Sequence, residues 1–419
     1  MKKKIRVVIS GVGIVSPFGV GNKVFWNGIK SGKSSMSRTL KFSSLMKKKM
    51  KTGEVKDFDI KDHLQLKGLR HLSKSTEFAL VASKLALDDG KVAYPLNKRA
   101  SESCGVALGT VNGTLKDILS LHHEILVEGP RGINPFAFPN ISPNSVPSHV
   151  SMKFNITGFN ACVISEASTG MDAVFYAANM IKEHGYKMGL SGASESLCQE
   201  IFDSGYALRT LAGTLPGTKE ISCPYDARRN GVIMSEGCSV FLLEEMEHAL
   251  KRKATIYAEI KGFGASFDCR TKKGYCPDAK GAIVSMQKAL DDAGCSPGDI
   301  DFIMGSATSR RGSDRTEVLA VKRVFEEKAK EVPITSIKGA LGYSFGASSS
   351  FDIAAALFSL KSSTIPPTLN YRSSDAGCQG LNIVSKNAVK KKVNKVLINS
   401  FSTGGFNSAL IIERFRGKK

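Results

Sequence analysis

An α/β fold of two packed halves is what the sequence predicts, and three observations carry that prediction. Apolar runs of strand length alternate with longer amphipathic segments along the chain. The 419 residues are too many for one small module. Apolar residues make up 42% and charged residues 23%, which fits a globular chain with a sizeable core and excludes a disordered, collagenous or coiled-coil one. The forty glycines imply tight turns and close backbone approaches.

Taken in order, residues 5–10 read as a buried first strand running into a glycine turn at Gly11 and Gly13. Further strands are expected at 104–109, 161–165, 188–191, 239–244, 256–263, 302–305, 395–400 and 409–414. Amphipathic spacing predicts helices over 23–31, 75–89, 114–128, 168–183, 279–293, 314–327 and 346–361. Ser75-Thr76-Glu77 and Ser313-Asp314 read as capping sequences. A helix-like tail ends near 249–253, which places the join between residues 1–252 and 253–419.

The formal charge of +21 raises the question of nucleic acid, but lysine exceeds arginine more than twofold and is scattered. The runs at 47–49, 390–392 and 418–419 read as solvated loops and a tail. With no nucleic-acid motif, an acidic protein partner is the better expectation. The cationic then apolar start imitates a signal peptide, yet Gly11 and Gly13 break it and no small-residue cleavage site follows. No segment reaches the roughly 18–20 apolar residues of a membrane span. Nine cysteines without a CxxC pair suggest reduced thiols, so a cytoplasmic location is expected.

Several motifs are weak. The segment Gly11-Val12-Gly13-Ile14-Val15-Ser16 nearly spells a dinucleotide fingerprint, but Ser16 and Pro17 spoil it and a strand-end turn is favoured. Cys269 and Cys276 lack partners at metal-ligand spacing, and no P-loop occurs, so no metal or cofactor is expected. The informative stretch is 156–174, where a buried strand ends in a sharp small-residue turn, Ser165-Glu166-Ala167-Ser168-Thr169-Gly170, and opens an apolar helix. That is the geometry of a nucleophile elbow, at which a helix N-terminus favours a thiolate.

This elbow resembles that of the β-ketoacyl synthases of the thiolase superfamily, and five further motifs extend the resemblance over nearly the whole chain. Residues 7–19 resemble the family's opening strand and VTPLG turn, and GPRGINPF at 129–136 its GPRxxxPF loop. The stretch from Pro224 to Gly237 resembles PFDxxRDGFVxGEG, IPPTLN at 365–370 contains PPTxN, and 399–407 resemble NSFGFGGTN. The resemblance implies a thiolase-like fold, with two similar halves in a five-layered α-β-α-β-α core. It also implies where the family's reactive residues fall. The cysteine position is Ala167, the first histidine position is Ser306 (counted back from Asp314 and Glu317), and the second is Tyr343, five residues after the retained Lys338. Thr403 stands where the family has a gating phenylalanine. No histidine follows His248 anywhere in the chain, so no shift of register restores one.

A ketosynthase needs a thiolate and two donors near the developing oxyanion. The catalytic set is therefore expected to be absent here. Cys162 reads as a buried structural thiol, and Ser165 or Ser168 would lack a base. A family member so altered resembles the chain-length factor of type II polyketide synthases, which pairs with an active ketosynthase, works with an acyl carrier protein and bounds the polyketide tunnel. The resemblance places tunnel-lining positions at Leu115, Ile118 and His122, spaced i, i+3, i+7 on one helical face. Two other readings stay open: a malonyl-carrier decarboxylase, and a homodimeric acyl-binding pseudo-ketosynthase.

Overall fold

The computed structural model describes residues 5–39, 42, 50–65, 71–135, 137–269 and 274–417. The lysine runs at 47–49 and 418–419 and Phe136 of the GPRGINPF stretch lie outside these residues.

The first half comprises β1 (Val7–Ser16), α1 (Asn22–Lys30), α2 (Lys74–Asp89), β2 (Cys104–Gly109), α3 (Leu115–Glu128), α4 (Ser145–Phe154), β3 (Asn160–Val163), α5 (Thr169–His184), β4 (Met188–Glu195) and β5 (Gly237–Glu245). The second comprises β6 (Ala258–Phe267), α6 (Lys280–Ala293), β7 (Phe302–Met304), α7 (Arg311–Phe325), β8 (Pro333–Thr335), α8 (Lys338–Leu341), α9 (Ala347–Ser362), β9 (Asn382–Ile383), β10 (Lys395–Phe401) and β11 (Phe406–Glu413). All nine expected strands and seven expected helices form. The helices α4 and α8, and a further helix at Gln199–Ala207, lie outside the expected ones; in α4 Pro147 falls in the first turn, where a missing N–H breaks no helical bond.

Strand order is the same in both halves. β1 pairs antiparallel with β5, β5 with β4, and then β4, β2 and β3 run parallel. Likewise β6 pairs antiparallel with β11, β11 with β10, and then β10, β7 and β8 run parallel, with the two-residue β9 added beyond β8. The halves join where Val7–Ile9 of β1 pairs with residues 258–260 of β6.

The continuous apolar runs in these strands have a simple cause: both sheet faces are covered. Phe241 and Leu243 of β5, Val396 and Ile398 of β10, and Leu410 and Ile412 of β11 face a central core shared with α5 and α9. Their neighbours Val240 and Leu242 face α2 and α4, and Leu397 and Ile411 face α6 and α7. The layers are thus helix, sheet, helix, sheet, helix, the thiolase-like architecture.

Two details differ from expectation. β1 does not stop at residue 10 in a glycine turn but continues to Ser16. A bulge after Ile9 restores side-chain parity, so Val7, Ile9, Val12 and Ile14 all reach the central core while Gly11 and Gly13 face α2. A Cβ on Gly13 would sit 1.9 Å from the carbonyl oxygen of Ala82, and one on Gly11 2.2 Å from that of Ala86. The glycines are there for close approach of helix backbone to strand, not for a turn. The caps also shift. The Ser73 hydroxyl, not that of Ser75, accepts from Thr76 N at 3.1 Å to start α2, and α7 begins at Arg311, leaving Ser313 and Asp314 inside its first turn.

Gly13→Ala should therefore cost about 3 kcal/mol or more of stability, since backbone rather than a flexible side chain must yield. Urea unfolding of the purified variant checks this; a loss below about 0.5 kcal/mol would contradict the close-approach role.

Candidate functional site

The elbow lies between β3 and α5. Ser165 leaves the strand, residues Glu166–Ser168 form one tight turn, and α5 follows at Thr169. Glu166 takes a left-handed conformation (φ 51°), which costs a non-glycine residue about 1 kcal/mol and is kept only where surrounding contacts fix it. Ala167 is 4% exposed at the turn's centre. The start of α5 is pinned to the start of α9: Gly170 N donates to Gly346 O at 3.1 Å, and Met171 N to the Ser349 hydroxyl at 3.1 Å. A Cβ on Gly170 would lie 2.9 Å from that of Ser350.

The positions that the resemblance assigns to the family histidines, Ser306 and Tyr343, come from loops of the second half. Ser306 follows β7, is buried, and its hydroxyl accepts from Phe401 N at 2.9 Å. Its own N–H donates to Glu317 Oε1 at 2.8 Å, and Ala307 N to Glu317 Oε2 at 2.8 Å. Asp314 accepts from Thr308 N at 2.9 Å and from Tyr225 N at 2.8 Å. Burial pushes the Asp314 carboxyl up to about 7 despite these donors and Arg229. Lys338 Nζ donates to Gly305 O at 3.0 Å and pairs with Asp352, both side chains nearly fully buried. Burial raises Asp352 to about 6, with Lys338 opposing. The backbone of Tyr343 is clamped in turn: its N donates to Ile233 O at 2.8 Å, and its O accepts from Ser235 N at 2.9 Å.

Two of the sequence-predicted positions, Tyr343 and Thr403, thus meet Glu166, a residue to which the sequence alone assigned no role. The Glu166 carboxylate accepts from Tyr343 OH at 3.0 Å, from Thr403 N at 2.7 Å and from the Thr403 hydroxyl at 2.8 Å. Tyr343 is held well above the usual phenol range, first by burial, then by the Glu166 charge and Tyr275, with Arg310 opposing. Glu166, Tyr343, Thr403, Tyr275 and Arg310 therefore form one polar cluster beside Ala167. The signal in the sequence was a single charge inside an otherwise small or apolar turn.

On the other side Ala167 and Tyr343 belong to an apolar cluster with Met50, Leu197, Phe202, Leu211, Val232 and Met234, and Leu115 packs against it. Leu115 is half-buried at the start of α3, whereas Ile118 (39% exposed) and His122 lie on its open surface. Ser168 donates to Ser400 O at 3.2 Å and Ser165 to Asp172, so neither hydroxyl is hydrogen-bonded to an imidazole. Cys162, expected as a buried thiol, is only half-buried because β3 is the last strand of its sheet; partial burial still pushes its thiol up to about 11. Among the described residues no group of side chains has the makings of a metal site and no helix is long and apolar enough to cross a membrane.

A strand–turn–helix elbow at the meeting of two topologically matched α/β halves defines a thiolase-like protein. Residues 4–249 match the family described as "Beta-ketoacyl synthase, N-terminal domain", and residues 257–372 its "C-terminal domain". The 3-oxoacyl-[acyl-carrier-protein] synthase 2 of Coxiella burnetii is 33% identical over 98% of this chain and 99% of its own length, and that of Staphylococcus aureus strain MRSA252 is 28% identical over 99% and 100%. The chain belongs to the β-ketoacyl synthase family. Among solved structures it resembles the ishigamide ketosynthase/chain length factor (TM-score 0.90, 26% identity, 99% and 100% of the two chains). It also resembles a type II polyketide synthase ketosynthase in complex with its acyl-carrier protein (TM-score 0.89, 26% identity, 99% and 100%).

Two stability predictions follow from the buried charges. Lys338→Met should lose about 3–5 kcal/mol by leaving Asp352 buried and unpaired, and the double variant with Asp352→Leu should recover much of that in urea unfolding. Glu195, at the end of β4, accepts from Val111 N at 2.5 Å and Asn112 N at 3.0 Å, yet burial raises it to about 7. Carboxyls raised in the folded state bind protons that the unfolded chain releases. The stability contributed by Glu195, Asp314 and Asp352 is full below about pH 4 and is lost as pH rises through 6 to 7. His149, lowered by burial, acts in the opposite sense below about 6.5. Melting temperature should fall as pH rises from about 6 to 7 and level off above about 7.5, and Glu195→Gln should flatten part of that slope.

Proposed function

We propose that this chain is a non-catalytic ketosynthase-like subunit, a chain-length factor that pairs with an active ketosynthase and bounds its polyketide tunnel. The observation that carries the reading is the chemistry at the elbow. Ala167 offers no nucleophile, Ser306 has its hydroxyl occupied by the β10 backbone, and Tyr343 is a phenol engaged by Glu166. Nothing in that set takes up an acyl group or polarises a thioester carbonyl as a thiolate and two imidazoles do.

The surface supports a partner. β3 pairs with β2 on one side, and no described strand covers its other edge. Ile164 after it, Met152 and Tyr176 are exposed around it, and on α3 Leu126 and Val127 are 70% and 68% exposed. An open edge with apolar flanks is what a second chain of the same fold would cover. Solved ketosynthase/chain length factor and ketosynthase–carrier structures among the neighbours favour that kind of partner. The basic surface suits an acidic acyl carrier protein, and the working pair would condense malonyl units.

Co-expression with a ketosynthase carrying cysteine and both histidines tests this. Co-elution in equal amounts, weakened at least tenfold by Ile164→Asp, is expected. A stable homodimer indifferent to that ketosynthase would overturn the pairing. Carbon dioxide release from malonyl-carrier by the purified chain alone would overturn the non-catalytic role in favour of a decarboxylase. In the reconstituted pair, replacing Leu115, Ile118 or His122 by alanine or tryptophan should change product length; unchanged products from folded variants would remove these residues from the tunnel.

A further inference from the structure

The geometry points to a closure built into this chain: the Glu166 carboxylate latches the turn at 402–406 shut over the elbow. Three chain segments that are distant in sequence converge on this one side chain. From the elbow comes Glu166 itself, from the loop after α8 comes the Tyr343 hydroxyl at 3.0 Å, and from the turn come both the N–H and the hydroxyl of Thr403 at 2.7 and 2.8 Å. The two hydrogen bonds donated by one threonine matter, because the turn cannot swing away without breaking both of these bonds to a carboxylate acceptor at once.

The turn is stiff on its own account. Ser402 N donates to Phe406 O at 2.8 Å and Gly405 N to Ser402 O at 3.2 Å, so it moves as a unit. It is tied to the elbow a second time by the Ser402 hydroxyl on Ser165 O at 3.3 Å. Its far side is held where Asp268 N donates to Gly405 O at 2.9 Å. Glu166 makes this contact from a left-handed backbone at the first position of the elbow turn, and its side chain packs no apolar core. Behind the closed turn Ala167 is 4% exposed. The latch lies wholly within this chain and does not depend on the pairing proposed above, so the two ideas fail separately.

The test installs a reporter thiol by Ala167→Cys in the full chain and follows its alkylation by N-ethylmaleimide with peptide mass spectrometry, which separates it from the nine native cysteines. Because removing a neighbouring charge also changes thiol acidity, the compared quantity is the limiting thiolate rate from a pH–rate profile. Adding Glu166→Ala should raise that rate about tenfold or more, and adding Thr403→Val, which leaves the charge in place, about threefold. Rates within twofold of the single variant would overturn the latch. If the Glu166→Ala variant does not fold, amide hydrogen exchange at Thr403 in Glu166→Gln decides instead: exchange about tenfold faster supports the latch, and unchanged exchange overturns it.

Discussion

The contact on which the rest of the molecule depends is the meeting of α5 and α9 at their N-terminal ends, between the two sheets. Gly170 N reaches Gly346 O at 3.1 Å, and no side chain larger than hydrogen fits at Gly170 without displacing Ser350. Each helix is the central helix of its own half. Their contact brings the elbow of one half against the loops of the other, which lie far away in sequence.

Around that contact the loops are held by buried carboxylates rather than by apolar packing alone. Glu317 takes the backbone of Ser306 and Ala307 and also Tyr225 OH and Asn399 Nδ2, while Asp352 holds Lys338, whose amine in turn holds Gly305 O. Buried charge is costly unless it is paired and hydrogen-bonded, as Asp352 is by Lys338. This network fixes backbone, not reactive side chains. It therefore holds the loops in place with alanine at 167, serine at 306 and tyrosine at 343.

Much of this was legible in the sequence, for stated physical reasons. The strands could be placed because burial on both faces gives unbroken apolar runs, and the elbow because a strand, small residues and an apolar helix follow one another. The roles of Gly11 and Gly13 were not legible. A glycine required by a neighbouring helix backbone looks the same in sequence as one required by a turn, and only the 1.9 Å that a Cβ on Gly13 would leave to Ala82 O tells them apart. The part played by Glu166 was hidden for a similar reason, since its partners Tyr343 and Thr403 lie 177 and 237 residues away. Local capping gave partial information: serine was the right residue type for α2, but which serine starts it depends on a hydroxyl geometry that no pattern encodes, and α7 starts after Arg310 with no side-chain cap at all.

The matched halves differ at their outer edges. The second half ends in β9, a strand of two residues beyond β8, while the first ends in the four-residue β3 with nothing described beyond it. A two-residue strand offers almost no ladder for another chain to extend. The sheet therefore has one end that can grow and one that cannot. When such an edge meets its counterpart on another molecule of the same fold, both growing ends are used up at once, and the assembly stops at two chains instead of running on into a fibre.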